Sequence, residues 1–379
     1  MDLMSKTSIP EPTRLLLWGK AAGRCQYDGC NKQLYIDGLT KYEFNSAYIA
    51  HIVADSENGP RGDKVRSQLL AKDINNLMLL CDEHHRLVDK IDVKGHPEER
   101  LLEMKQKHEQ RLEILTAIQE DKRSNVILYG ANIGQHNSSI SWQKAAEAMI
   151  PLRYPTSSSA IELGLKNSVF KDNDEFYWKV EESHLESIFN ERVKSRIATD
   201  SVGQYSVFGL APQPLLIKLG SLLSDIPNCE IYQLHREPPN WIWQNNDDIF
   251  CYDVIKPEKS SKIVAINLSL SADIDDLRIL NVLGHDVAIW TIKTVGANND
   301  FLKSKEQLKL FRKEFRKLLN EIKLNNPECT YINIFPAVPV AIAIEIGRVW
   351  MPKADLPLKI YDENRCKGGF VYAIDIINK

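Results

Sequence analysis

Residues 74–89 read INNLMLLCDEHHRLVD and carry two soft metal donors, Cys81 and His84, three positions apart. The pair straddles the start of a helix, with Asp82 expected as its N-cap. A second pair, Cys25 and Cys30, sits in GRCQYDGCNK (23–32), where Asp28 and Gly29 allow the tight turn that brings two thiolates together. Two chelating pairs supply the four N and S donors that tetrahedral Zn²⁺ takes in a structural site. His85 follows directly and points about 100° away around the same helix, off the zinc and towards another site. Asp89 lies four residues on, on the face of His85, and such a pair can grip a catalytic Mg²⁺ or similar divalent metal. Upstream, the strand-like SAYIAHIVADS (46–56) holds His51 in an apolar stretch and runs into the turn-forming ENGPRGD (57–63).

The rest of the chain limits what such a cluster can serve. A length of 379 residues implies two or three domains. Hydrophobic residues at 43%, charged residues at 26% and a mean hydropathy of −0.31 are those of a soluble globular protein. No run reaches the roughly 18 apolar residues of a membrane helix, which excludes a membrane-spanning fold. The opening MDLMSKTSIPEPTRLLLWGK has too short an apolar run for a secretory signal, so a cytoplasmic location is expected. With 48 Lys and Arg against 51 Asp and Glu there is no bulk basic field, and DNA binding must come from a local patch. Seven cysteines make an odd count, unsuited to a disulfide framework. Cys229, Cys251, Cys329 and Cys366, scattered downstream, read as small buried hydrophobes.

Leu101, Met104, His108, Leu112, Leu115 and Ile118 recur at spacings of three and four, one stripe of a helix over 98–120. The polar DKRSN that follows places a domain boundary near residue 122. Beyond it, strand-like runs such as NVILYG, SKIVAINLSLSAD, DVAIWTIKTVG and TYINIFPAVP alternate with helical ones such as WQKAAEAM, PQPLLIKLGSLLSD, SKEQLKLFRKEFRKLLNEIKLNN and VAIAIEIGRVW. That alternation predicts α/β layers on a mainly parallel sheet, compatible with a duplicated unit about 120 residues long. No Walker loop, dinucleotide fingerprint or nucleophile elbow follows residue 123.

The interlocked AHIVADSENGPRGD, INNLMLLCDEHHRLVD and GRCQYDGC resemble the HNH endonuclease superfamily, also called ββα-metal or His-Me nucleases, over about residues 20–92. The resemblance implies that His51 is the general base that deprotonates water. Asn76 would hold the loop that orients His51, and His85 would ligate the catalytic divalent metal. The products would carry 5′-phosphate and 3′-hydroxyl ends. Where many HNH sequences have an acidic residue or His before the base, this chain has Ala50, so the second metal ligand falls to Asp89 or, next, Asp55. Arg61 and Lys64 are candidates to touch DNA phosphates, in a segment that also carries as many acids as bases.

The region after 123 resembles the SAVED domain, a pair of fused CARF-like Rossmannoid halves attached to effectors in bacterial CBASS antiviral systems. The likeness rests on the α/β order, on INIFPAVPVAIAIEIGRVW, and on the closing LPLKIYDEN and FVYAIDI strands. The expected fold is thus an α+β HNH domain with structural zinc at 1–122, followed by an α/β SAVED domain at 123–379. The resemblance implies an antiviral DNase whose HNH domain cuts double-stranded DNA once a cyclic di- or trinucleotide drives assembly of a dimer or higher homo-oligomer. Ligands of α/β sheets gather at the carboxyl ends of strands. This marks Asn132 beside Gly130 and Gly134, Ser269 and Ser271, Asn298, and Ala337 as ligand-binding candidates, with Trp241 and Trp243 as stacking platforms. Two other readings stay open: an HNH restriction-type enzyme whose C-terminal domain recognises DNA, and a zinc-stabilised scaffold without catalysis.

Overall fold

The computed structural model describes residues 7–133, 139–165, 170–172, 174, 176–197, 202–224, 228–244 and 250–377. The chain forms two compact units, Met1–Gln119 and Glu120–Lys379. In the first, α1 (Glu11–Ala21) leads through an irregular loop to β1 (Tyr48–His51), and α2 (Arg66–Leu70) precedes β2 (Leu77–Leu80). α3 (Asp82–Arg86) continues as a π-helical turn, Leu87–Ile91, and α4 (Glu98–Thr116) closes the unit. β1 and β2 pair antiparallel, Tyr48 opposite Leu80 and His51 opposite Leu77, and α3 follows directly, a ββα arrangement. Its core is small: Leu17, Ala21, Leu34, Ile52, the whole of β2, Val88, Leu101 and Met104 gather around Cys25 and Cys81.

The α4 stripe is only half used. Leu101, Met104 and His108 are buried, and His108 Nε2 donates to Ala21 O at 3.1 Å, whereas Leu115 and Ile118 are exposed. The helix ends at Thr116, short of the expected 120.

The second unit opens with β3 (Arg123–Gly130), α5 (Trp142–Met149), β4 (Tyr154–Pro155), β5 (Ile161–Glu162), α6 (Tyr177–Phe189) and α7 (Ser195–Ile197). Then come β6 (Tyr205–Leu210), α8 (Gln213–Leu222), β7 (Cys229–Tyr232), β8 (Asp253–Ile255), β9 (Val264–Ser269), α9 (Asp276–Leu283), β10 (Ala288–Lys293) and α10 (Lys305–Asn325). β11 (Ile332–Ala337), α11 (Val340–Val349), β12 (Leu358–Asn364) and β13 (Gly369–Ile376) complete it. One sheet runs β4-β3-β6-β7, with β5 also on β3, and all its pairs are parallel. The other runs β13-β12-β11-β9-β10-β8, parallel at its centre and antiparallel at both edges.

Both sheets are covered on two faces, as fully apolar parallel strands require. Alternate residues of β9 separate two cores: Val264, Ile266 and Leu268 pack with α10 and α11, Ala265 with α9 and Phe335. β3 divides in the same way, Ile127 and Tyr129 facing α6 and α8, Val126 and Leu128 facing α5. α10 is set by a capping box, Ser304 accepting from Gln307 N while Gln307 Oε1 accepts from Ser304 N, and it buries Leu308, Phe311, Phe315, Leu318 and Ile322.

A repeat lies at the centre of this unit. One sequence offset carries β6 onto β11, Pro212 onto Pro339 at the two helix N-caps, α8 onto α11 and Gly220 onto Gly347. α8 and α11 cross at those glycines with reciprocal contacts. A Cβ on Gly220 would lie 1.9 Å from Ile344 O, and one on Gly347 would lie 1.9 Å from Ile217 O.

On β12, burial pushes the Asp362 carboxyl up to about 7, with repulsion from Asp172 and Glu363 adding to it. An acid raised above its unfolded value holds its proton in the folded state, so stability falls as pH rises from about 4 to about 7 and is level above that. Asp362→Asn is therefore expected to match the parent near pH 4 and to exceed it by about 1–3 kcal/mol at pH 8, read from thermal melts at the two values.

Candidate functional site

Cys25, Cys30, Cys81 and His84 converge so that their donor atoms all lie within 4.8 Å of one another. His84 Nδ1 is 3.1 Å from Cys81 Sγ and 3.7 Å from Cys25 Sγ. Those spacings suit a tetrahedral ion with Zn–S near about 2.3 Å and Zn–N near about 2.0 Å. The first pair rides on a turn in which Gly29 takes φ +80° and Cys30 N donates to Tyr27 O. The buried Gln26 ties this turn to β2: its N donates to Leu79 O at 2.9 Å and its Oε1 accepts from Leu79 N at 2.8 Å. Tyr27 stacks on His84 at 4.0 Å and meets His96 Nε2 at 2.9 Å through its hydroxyl. The N-cap of α3 is Cys81 rather than Asp82. Asp82 falls inside the first turn and pairs with Arg86, because Cys81 itself takes the extended conformation.

Burial pushes the Cys25 and Cys81 thiols up and holds the His84 and His85 imidazoles below their ordinary range, so both rings are neutral at pH 7. Neutral imidazole is the form that binds a metal.

His51 ends β1, 8% exposed, with Nε2 3.0 Å from Ala71 O. A carbonyl only accepts, so Nε2 carries the proton and Nδ1 keeps the lone pair a base needs. Asn76 acts on the loop that leads to Ala71. The Asn76 amide accepts from Val53 N at 2.8 Å and donates to Val53 O at 2.8 Å and to Leu70 O at 3.2 Å, clamping both ends of the 53–70 loop. His85 stands on α3, a quarter exposed, its ring stacked on Tyr48 at 4.8 Å and its Nε2 3.4 Å from Asp89 Oδ2. Asp89 lies on the π-helical turn, a feature frequent at functional sites.

One expectation for this unit is corrected. Arg61 does not present itself to phosphates: its side chain is 8% exposed, and it donates to Ile52 O at 2.6 Å, Val88 O at 2.9 Å and Asp89 Oδ1 at 2.6 Å. Asp89 Oδ1 accepts from Arg61, and its Oδ2 lies 3.4 Å from His85 Nε2. Asp55, the other candidate ligand, accepts from Thr7 N at 3.2 Å.

In the second unit the ligand candidates divide. Ser269, Ser271 and Ala337 come together, since Ala337 O accepts from Leu270 N at 3.0 Å and Ser271 N at 2.6 Å. Ser269 Oγ is buried, donating to Asn267 Oδ1 and accepting from Ile274 N. Asn132 donates to Phe170 O at 3.0 Å, and its carbonyl accepts from the Tyr177 hydroxyl at 2.6 Å. Gly134 lies outside the described residues. Asn298 is exposed and folds onto its own turn, bonding Gly296 O and Asp300 N. Trp241 is no platform: it is 3% exposed and meets Phe208 edge-on at 5.3 Å in the core shared with α5. Trp243 is packed as well, edge-on to His235. Alternation put both rings on one side, and that side faces inward.

Sequence reasoning missed Gln26, Tyr27 and Tyr48. Gln26 and Tyr27 lie between the first two thiols, where a buried amide and a ring packed against the Cys/His cluster leave no composition signal. Among the described residues no helix is long and apolar enough to cross a membrane.

Comparison with curated proteins finds no match. Among solved structures, the Acinetobacter baumannii Cap4 SAVED/CARF-domain containing receptor with the cyclic trinucleotide 2'3'3'-cAAA is similar at TM-score 0.44 and 13% identity, over 73% of this chain and 60% of that one. The same receptor with 3'3'3'-cAAA gives 0.44 at 14% identity over the same shares. The Moraxella osloensis Cap4 SAVED/CARF-domain containing receptor gives 0.33 at 12%, over 75% and 63%. This chain spans less than two thirds of the length of those receptors. Residues 185–376, half of the chain, match the family of the SMODS-associated and fused to various effectors sensor domain. The chain belongs to this SAVED family.

Proposed function

We propose that the chain is an antiviral effector in which a cyclic oligonucleotide, bound by the SAVED unit, licenses cleavage of double-stranded DNA by an HNH-type site in the first unit. The observation that carries the nuclease half is the division of labour around one helix start: His84 joins three thiols while its neighbour His85 faces away from them towards Tyr48 and Asp89. Membership of a sensor family supports the gated half.

The residues act as follows. His51, its Nε2–H fixed on Ala71 O, takes the proton of the attacking water at Nδ1. Asn76 clamps the loop between Val53 and Leu70, next to Ala71, and so supports the orientation of His51. Cys25, Cys30, Cys81 and His84 would hold zinc and so join the first loop to α3. His85 would hold a divalent metal, which when bound neutralises charge on the scissile phosphate and the departing 3′ oxygen. On the sensor side, Ser269, Ser271 and Ala337 share one strand-end cluster, and Asn132 lies at the end of a strand in the other sheet. Assembly of copies would bring nuclease units together to cut both strands.

The test is plasmid DNA with Mg²⁺ and a panel of cyclic di- and trinucleotides. Degradation with at least one ligand and not without is expected, and His51→Ala should lower the rate by about 10²–10⁴-fold while zinc content and ligand binding stay unchanged. Intact plasmid with every ligand overturns the gate. Ligand-free, site-dependent fragments favour a restriction-type enzyme instead, and a wild type that binds DNA without cutting favours a scaffold.

A further inference from the structure

Helical spacing offers Asp89 as a partner of His85 in holding the metal, but its surroundings give it another task. Its Oδ1 receives Arg61 Nη2 at 2.6 Å and its Oδ2 faces His85 Nε2 at 3.4 Å. A guanidinium that close repels a divalent cation from the same carboxylate. Arg61 reaches the spot from a left-handed backbone position, φ +57°, and its remaining donors go to Ile52 O at 2.6 Å, Val88 O at 2.9 Å and His51 O at 3.4 Å. One buried side chain therefore joins the strand that carries His51 to the turn that carries Asp89.

We infer that Asp89 and Arg61 are positioning residues: Asp89 holds His85 by its Nε2–H so that Nδ1 faces outward for a divalent metal, and Arg61 fixes Asp89 and locks the His51 strand to that arrangement. The inference rests on the proposed metal role of His85. A carboxylate behind a ligating histidine sets its tautomer and raises its basicity, and losing such a partner typically costs 10–100-fold in metal affinity. Tyr48 stacked on the ring restrains the other degree of freedom, the tilt of its plane.

The test uses full-length, zinc-loaded protein with Mn²⁺ as the probe, its binding followed by the loss of the free-ion paramagnetic signal. The ring tautomer of His85 is read separately, without Mn²⁺, by long-range proton–nitrogen NMR at pH 8. Asp89→Asn is expected to turn its NH₂ to His85 and keep its oxygen on Arg61, moving the imidazole proton to Nδ1 and lowering Mn²⁺ affinity by about 10–100-fold. Arg61→Ala should lower Mn²⁺ affinity too. If Asp89 were itself a ligand, freeing it from Arg61 would instead raise affinity, and that rise, or an unchanged tautomer in Asp89→Asn, overturns the inference. Should Arg61→Ala fail to fold, the tautomer of Asp89→Asn decides. Wild-type protein that binds no Mn²⁺ overturns the metal role of His85 itself, a different failure because the tautomer is measured without the ion.

Discussion

Gly347→Ala is expected to destabilise the sensor unit by about 3 kcal/mol or more, at or beyond the upper end of the usual overpacking range of about 1–3 kcal/mol. The added carbon would sit 1.9 Å from Ile217 O and 2.5 Å from Ser221 N, both backbone atoms of α8 that no rotamer change can move. α11 must then lift from α8, and the core that both helices share, from Leu215 to Ile346, loses its packing. Gly220→Ala meets Ile344 O from the other side and should cost a similar amount. The double variant should cost clearly less than the two together, because helices already separated have little further to lose. Urea unfolding of the three variants tests this, with zinc content as a check that the first unit is intact. A shift of a few tenths of a kcal/mol in either single variant would show that the crossing is looser than it stands here.

Zinc removal should have the larger consequence for the first unit. That unit has a small core, and two of its members, Cys25 and Cys81, belong to the four-donor cluster. Structural zinc contributes about 10–16 kcal/mol of apparent binding free energy in small domains, more than such a core supplies alone. One zinc per chain is expected by metal analysis. A strong chelator, or Cys25→Ser, should open residues 23–96 to proteolysis while the sensor unit survives as a resistant fragment. A metal-free protein with an unchanged melting curve would mean that the four donors are only neighbours.

The Cys/His cluster was legible because chelation imposes its own spacing, and a pair of donors five or fewer positions apart survives any detail of the fold between them. The strands and helices from α8 to β13, β8 excepted, were legible for another reason. Their apolar runs are long, and turn residues bound them. α6 escaped because the buried Glu181 interrupts its apolar stripe of Tyr177, Leu185 and Phe189. β8 escaped because it is a three-residue edge strand with mostly exposed side chains. Asp89 was read correctly as a neighbour of His85, but its occupation by Arg61 depends on a contact across 28 residues that no local pattern encodes. Trp241 shows the same limit: alternation says which residues share a side, and only the packed sheet says whether that side meets solvent.

The two central helices occupy equivalent places, yet their polar residues have diverged. Lys218 is buried against Glu182 and Glu186, and at the matching position Glu345 is buried against Arg348. Each buried charge is matched by partners of its own half, so neither helix could stand in for the other although their backbones coincide: Lys218→Glu would set a third carboxylate against Glu182 and Glu186.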